Sequence, residues 1–232
     1  MGATTPLGDV PPVVVPPAHW DRLFAPSSCL ATITTVDRSG RVNAASFGTC
    51  TRVRHDPVTL AFTVGAGKDT YENVLSTGEF VVNLPAWDRR QLEQVRVTGL
   101  DFAPGVDELE RAGLRALPAL VVGPPRIADF GRHFECVVEW TRQWEDRLMV
   151  VGRVVGASCA PGLVDDDGYL VWEAARPAHY CGWPYENAFV AAYDVLRVDL
   201  PYEGPEASAG ERAVPPYVRG SVVDRCAADG SC

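Results

Sequence analysis

Residues Val58–Leu84 read VTLAFTVGAGKDTYENVLSTGEFVVNL. The β-branched and aromatic run Val58 to Val64 predicts a strand. Gly65-Ala66-Gly67-Lys68 breaks it. Asp69 suits an N-cap, and Glu72 follows three residues later, as in a capping box. Gly78 suits the left-handed position that closes a helix. The helix is therefore short, about Thr70 to Thr77. Glu79 to Leu84 predicts the next strand. A doubly wound sheet needs helices of roughly 10–15 residues alternating with strands. This stretch supplies no such helix.

Strand signals continue on both sides. Cys29 to Val36 and Arg41 to Thr51 flank Asp37-Arg38-Ser39-Gly40, a hairpin pattern. Asp56-Pro57 marks a turn. Helices are expected at Asp88–Val97 and Asp107–Ala112. Further β-rich runs follow at Ala119–Val122, Arg126–Phe130, Phe134–Trp144 and Leu148–Ser158. Many strands with few short helices predict a closed or partly closed antiparallel barrel. Five prolines in the first seventeen residues make 1–19 an extended arm. Residues 201–232 read as a flexible acidic tail. The barrel domain occupies 20–200.

The chain has 232 residues, 47% of them hydrophobic and 22% charged. That is ordinary for a globular protein and excludes bulk disorder. The net charge is −9, and Lys68 is the single lysine among 21 basic residues. No basic run exists to displace counterions from phosphates, which argues against nucleic acid and anionic membranes as partners. No apolar stretch reaches about 18 residues, and no secretory leader is visible. A cytoplasmic protein is expected. The seven cysteines are scattered and include no C-x-x-C, so no disulfide framework is expected. His19, His55, His133 and His179 form no metal-binding spacing, so no metal site is expected.

Two segments point to ligand chemistry. Gly65 to Thr70 lacks the G-x-x-x-x-G-K-[ST] phosphate loop, because Phe62 stands five before Gly67 and Asp69 follows Lys68. It still feeds a helix N-terminus, where free N–H groups favour an anion, and Lys68 and Thr70 add a charge and a hydroxyl. An ordinary capped helix explains the same residues equally well. Asn43 to Thr51 is small and polar for a strand. That suits either close approach of a ligand or a barrel corner. No G-x-S-x-G or G-x-G-x-x-G occurs, so hydrolase and Rossmann folds are not supported.

Several segments carry a family resemblance. Trp20 to Pro26 is similar to an aromatic-x-x-Leu-Leu-x-Pro lead-in. Thr34 to Asn43 is similar to T-T-x-D-x-x-G-x-x-N. Lys68 to Asn83 matches K-D-T-x-x-N-I-x-x-T-G-E-F-V-V-N closely. Val106 to Leu114, Pro124 to Ile127, His133 to Cys136 and Val151 to Val155 follow in order. Together they resemble the flavin reductase-like family over about residues 20–185. The resemblance implies a mainly β, antiparallel, Greek-key-like FMN-binding split β-barrel with a few short helices. It implies a homodimer with FMN, or FAD, near the interface. It places Ala45, Ser46, Phe47, Gly48, Thr49 and Thr51 along the isoalloxazine and ribityl chain. It places Lys68, Asp69 and Thr70 at the phosphate, with Thr63 on the preceding strand.

Where some members carry Gly-Asp-His, this sequence has Glu145, Asp146 and Arg147. His179 to Tyr185 could build a substrate pocket, with His55, His179 and Tyr180 as candidate catalytic residues. The implied activity is an NAD(P)H:flavin reductase supplying a partner monooxygenase. The alternatives are a flavoenzyme acting directly on an organic substrate and a non-catalytic barrel that binds flavin or another ligand. Hydride transfer is the cofactor's chemistry and requires no acid–base cluster.

Overall fold

The computed structural model describes residues 16–17, 28–103, 105–182, 185 and 187–195. Apart from Pro16 and Pro17, the expected arm at 1–19 lies outside them, as does the tail at 201–232. So does the Trp20 to Pro26 lead-in.

Among the described residues ten strands form in chain order: β1 (Ser28–Val36), β2 (Val42–His55), β3 (Val58–Gly65), β4 (Glu79–Leu84), β5 (Ala116–Leu117), β6 (Arg126–Ile127), β7 (Arg132–Trp144), β8 (Arg147–Cys159), β9 (Ala178–Tyr180) and β10 (Phe189–Ala191). The helices are α1 (Asp69–Thr77), α2 (Arg89–Val97), α3 (Glu108–Ala112) and α4 (Trp172–Ala175). The order β1-β2-β3-β8-β7-β4 closes through a β4–β1 pairing, giving a six-stranded antiparallel barrel. One stretch of β1, Thr32 to Thr34, pairs with β4, while Ser28 and Cys29 pair with Tyr180 and His179 of β9. That division lets β9 and β10 branch from the barrel wall.

The alternation in β1 explains why both its faces are buried. Ala31 and Ile33 point into the barrel, and Leu30 points outward beneath α2 and α3. The barrel interior holds Phe62, Phe80, Val82, Leu148 and Val150. Phe47, Phe62 and Phe80 stack edge-to-face in succession, with centroids 5.0 and 5.2 Å apart. Gly152 is required there, because a Cβ would meet the Phe80 ring at 2.5 Å. Asn83 is fully buried and clamps three strands. Its Nδ2 donates to the Thr32 carbonyl at 3.1 Å and to the Thr34 hydroxyl at 3.2 Å, and its Oδ1 accepts from Ile127 N at 2.8 Å.

Four local expectations need correction. Lys68, not Asp69, caps α1: its carbonyl already accepts from Tyr71 N and Glu72 N, and no side chain caps the helix. Ala119–Val122 is not a strand. The backbone N–H groups of Leu120, Val121 and Val122 turn to the buried Glu135 carboxylate at 2.7–3.4 Å instead of a neighbouring strand. Arg126–Phe130 shortens to Arg126–Ile127. The second strand runs past Thr51 to His55, with a bulge between Arg52 and Arg54.

Candidate functional site

The Gly65–Thr70 segment is built by three constraints. Ala66 N donates to the Asp146 carbonyl at 2.8 Å, tying the turn to the start of β8. Gly67 adopts φ +74°, a conformation that favours glycine. Lys68 is extended, and α1 begins at Asp69. The helix is held against the sheet by a buried polar chain. Asn43 Nδ2 donates to Thr70 Oγ1 at 2.9 Å and to Thr35 Oγ1 at 3.4 Å, while Asn73 Nδ2 donates to Thr35 Oγ1 at 3.0 Å. The Thr70 hydroxyl therefore accepts from the protein and keeps its own hydrogen to donate.

This turn forms one end of a cleft of about 790 Å³. Its floor is the β2 segment from Asn43 to Thr49, with Thr63 to Gly65 of β3 beside it. Thr98 to Phe102, Glu108 of α3, Arg147 of β8 and Tyr180 of β9 complete the wall. Ser46 is spent on structure. Its hydroxyl donates to the Val95 carbonyl at 2.7 Å and lies 2.5 Å from Thr98 Oγ1. Thr49 Oγ1 accepts from Thr63 N at 3.1 Å across the two strands.

Two cations converge on the turn. Lys68 pairs with Asp101, and both side chains are more than half exposed, so this ion pair is weak and displaceable. The Arg147 guanidinium and the Lys68 stem both lie just beyond the Cα of Gly65, which Arg147 faces across the β3–β8 ladder. Against them stand Asp69, Asp101 and Glu108.

Glu108 is buried at the start of α3, where Asp107 caps the helix by accepting from Glu110 N at 3.0 Å. Its Oε2 accepts from Ala44 N at 3.2 Å. Burial raises the Glu108 carboxyl above the ordinary glutamate range, and Asp69 and Asp107 push it the same way. A carboxyl whose folded pKa is raised stabilises the fold below its unfolded pKa and loses that contribution as pH rises through the folded value. Glu108→Gln keeps an acceptor for Ala44 N and removes the titration. It is expected to raise Tm relative to the parent at pH 7, with the difference vanishing toward pH 4. Thermal unfolding across pH 4–8 checks this; a variant less stable at pH 7 than at pH 4, relative to the parent, would contradict it.

The chain matches the flavin reductase like domain family over residues 27–180. It belongs to the flavin reductase-like family. Among related sequences, an uncharacterised protein of Halalkalibacterium halodurans is 33% identical over 159 residues, 64% of this chain and 75% of that protein. Among solved structures, the 2-nitrobenzoate 2-nitroreductase NbaA of Pseudomonas fluorescens is 26% identical with a TM-score of 0.70, covering 84% of this chain and 96% of that one. Nitrilotriacetate monooxygenase component B of Bacillus cereus is 23% identical with a TM-score of 0.69, covering 85% and 98%.

In this flavin reductase-like chain, Ala45, Ser46, Phe47, Gly48, Thr49, Thr63, Lys68, Asp69, Thr70 and Tyr180 all line the cleft. Thr51, His55 and His179 do not. Thr51 and His55 lie beyond Cys50, on the exposed far half of β2. His179 neighbours Tyr180 on β9, and successive strand residues face opposite sides. Asn43, from the small polar run of β2, lines it too, and Thr98 to Phe102, Glu108 and Arg147 join the cleft without a sequence expectation behind them. For Arg147 a signal existed: it replaces a family histidine at the head of a strand that pairs with the Gly65 turn.

The remaining chemistry is quiet. Burial pushes the Cys50 thiol up to about 12 and also raises Cys29 and Cys136, so these cysteines stay protonated. Cys226 and Cys232 lie outside the described residues. Among the described residues, no group of three or more His, Cys, Asp or Glu could hold a metal, and no helix is long and apolar enough to cross a membrane.

Proposed function

We propose that this chain is an FMN-dependent NAD(P)H oxidoreductase, a flavin reductase that passes reduced flavin to a partner monooxygenase. The observation that carries the reading is the cleft's polarity. A cation, a donor hydroxyl and a helix N-terminus gather at the Gly65–Thr70 turn, and Phe47, Gly48 and Tyr180 line the same cleft. A phosphorylated ligand with a planar head fits that arrangement, and the volume falls in the range of roughly 300–1,000 Å³ typical of small-molecule sites.

Lys68, the Thr70 hydroxyl and the first turn of α1 would hold the FMN phosphate; the diphosphate of FAD would engage the same turn. The small side chains from Ala45 to Thr49 would let the β2 backbone approach the ribityl chain and ring. Tyr180 would close the ring end and exclude water. When bound, the flavin supplies the acceptor and donor for hydride. Electrostatics favour the phosphate only once Asp101 leaves Lys68, which its exposed position permits at small cost.

Val53, Val58, Trp140 and Trp144 are exposed apolar side chains on β2, β3 and β7. They support a homodimer, for which sedimentation should give about twice the 25.1 kDa chain mass. The monooxygenase partner draws its support from the name of the component B relative, and a cytoplasmic setting accords with the reductant.

The test is an anaerobic absorbance spectrum of the FMN-loaded protein before and after NADH, then NADPH. Rapid bleaching of the flavin bands is expected with one or both donors. Persistent bands with both would contradict the reductase reading.

A further inference from the structure

The flavin cleft does not end at Tyr180. Its ring end opens into a cavity of about 260 Å³ that shares Phe47, Gly48, Leu100 and Tyr180 with it. That cavity in turn shares Arg96, Asn187 and Phe189 with an adjoining groove of about 430 Å³ that Trp87 and Leu92 also line. The groove uses one face of α2, where Arg89, Leu92, Glu93 and Arg96 recur at helical spacing.

From this continuity we infer a second small-molecule subsite, one that takes a planar aromatic carboxylate with its acid group on Arg96. The inference rests on the flavin reading for its neighbour but not for its own contacts. The lining is aromatic: the Tyr180 and Phe189 rings pack against each other, 5.8 Å apart at 47°, and Trp87 lines the groove with Phe189. Such a lining favours a flat apolar ligand.

The charge argument selects an acid. Each carboxylate of the groove has a partner other than Arg96: Asp88 caps α2 by accepting from Gln91 N at 3.0 Å, and Glu93 accepts from Arg89 Nε at 2.8 Å in an exposed i,i+4 pair that balances its charge. The Arg96 guanidinium has no hydrogen bond or ion pair to a described residue, although it lines both cavities. A half-buried arginine that shares its cavities with aromatic side chains offers the fork that a carboxylate matches in bidentate fashion. The flavin phosphate does not compete for it, because Arg96 lies outside the set of residues lining the main cleft. A ligand seated here would place its far edge at Tyr180, beside the ring end of that cleft.

The test is isothermal titration of the full-length protein, with and without FMN, using sodium benzoate and sodium 2-naphthoate as probes and benzamide as the neutral control. Saturable binding of the acids and at least tenfold weaker binding of benzamide are expected. Arg96→Gln should weaken the acids at least tenfold, and an FMN titration of the same variant reports whether the cleft still folds. Absence of acid binding, or equal affinity for benzoate and benzamide, overturns the subsite, and neither result depends on the variant. Acid binding unaffected by Arg96→Gln overturns the role of Arg96. The two readings fail separately: a protein that binds FMN but neither acid loses only the subsite, and one that binds the acids but no FMN loses only the flavin assignment.

Discussion

Phe80→Ala is expected to lower the unfolding free energy by about 3–5 kcal/mol, the range for deleting a fully buried aromatic ring. Phe80 has no exposed surface and sits edge-to-face with Phe62. It fills the space that Gly152 leaves open, where its ring would contact any Cβ at 2.5 Å. The surrounding strands are fixed by hydrogen bonds on both sides: Phe80 pairs in register with Cys136, and Val81 and Val82 pair with β1. The barrel therefore cannot collapse into the cavity, and the full cost of the void is expected. For a domain of this size each kcal/mol lowers Tm by about 2–4 °C. Urea unfolding checks the value. A loss below about 1 kcal/mol would mean that the barrel repacks around position 80.

Lys68→Ala is expected to weaken FMN binding by about 1–3 kcal/mol, the scale of one charge-assisted hydrogen bond, while riboflavin binding stays the same. That corresponds to roughly 5- to 150-fold in Kd. Lys68 is about half exposed, so screening places the effect nearer the lower end at physiological salt. The lost attraction is partly offset, because Asp101 no longer has to be displaced. Asp101→Asn supplies the complementary sign: with Lys68 freed, FMN binding tightens. Equal losses for FMN and riboflavin in Lys68→Ala would show that Lys68 supports the cleft generally and does not read the phosphate.

The barrel was legible because its signals are local. The strand-breaking Gly65-Ala66-Gly67, the short helix and Gly78 at φ +73° each follow from a few adjacent residues. The same is true of the Asp37 turn, in which one carboxylate oxygen accepts from Ser39 N and Arg41 N at 2.8 and 2.9 Å. Side-chain function across the fold was less legible. The run Ala119–Val122 has the composition of a strand, yet its backbone donors serve Glu135, fifteen residues after Leu120. Asp69 has the chemistry of a cap, but the chain turns one residue earlier, which leaves Asp69 in the first turn of α1, where the helix dipole still favours it.

The cleft divides the same way. Its Gly65–Thr70 end is one continuous segment, so the residues that line it there are neighbours in the sequence. Its other wall comes from four separate elements. Glu108 reaches Ala44 across 64 residues of sequence, and Ser46 reaches Val95 across 49. No local pattern encodes such contacts. His55 and His179 are expected beside a substrate, whereas the length of β2 and strand alternation leave them out of the residues that line the cleft.

The central claim is that the Gly65–Thr70 turn holds the phosphate of a flavin whose ring reaches Tyr180. Titrating the purified protein with FMN and with riboflavin under identical conditions, followed by flavin fluorescence, tests it most directly. FMN should bind tightly, and riboflavin more weakly by at least about fivefold, the lower bound of the Lys68 contribution. Equal affinity for the two, or no binding of either, would contradict it.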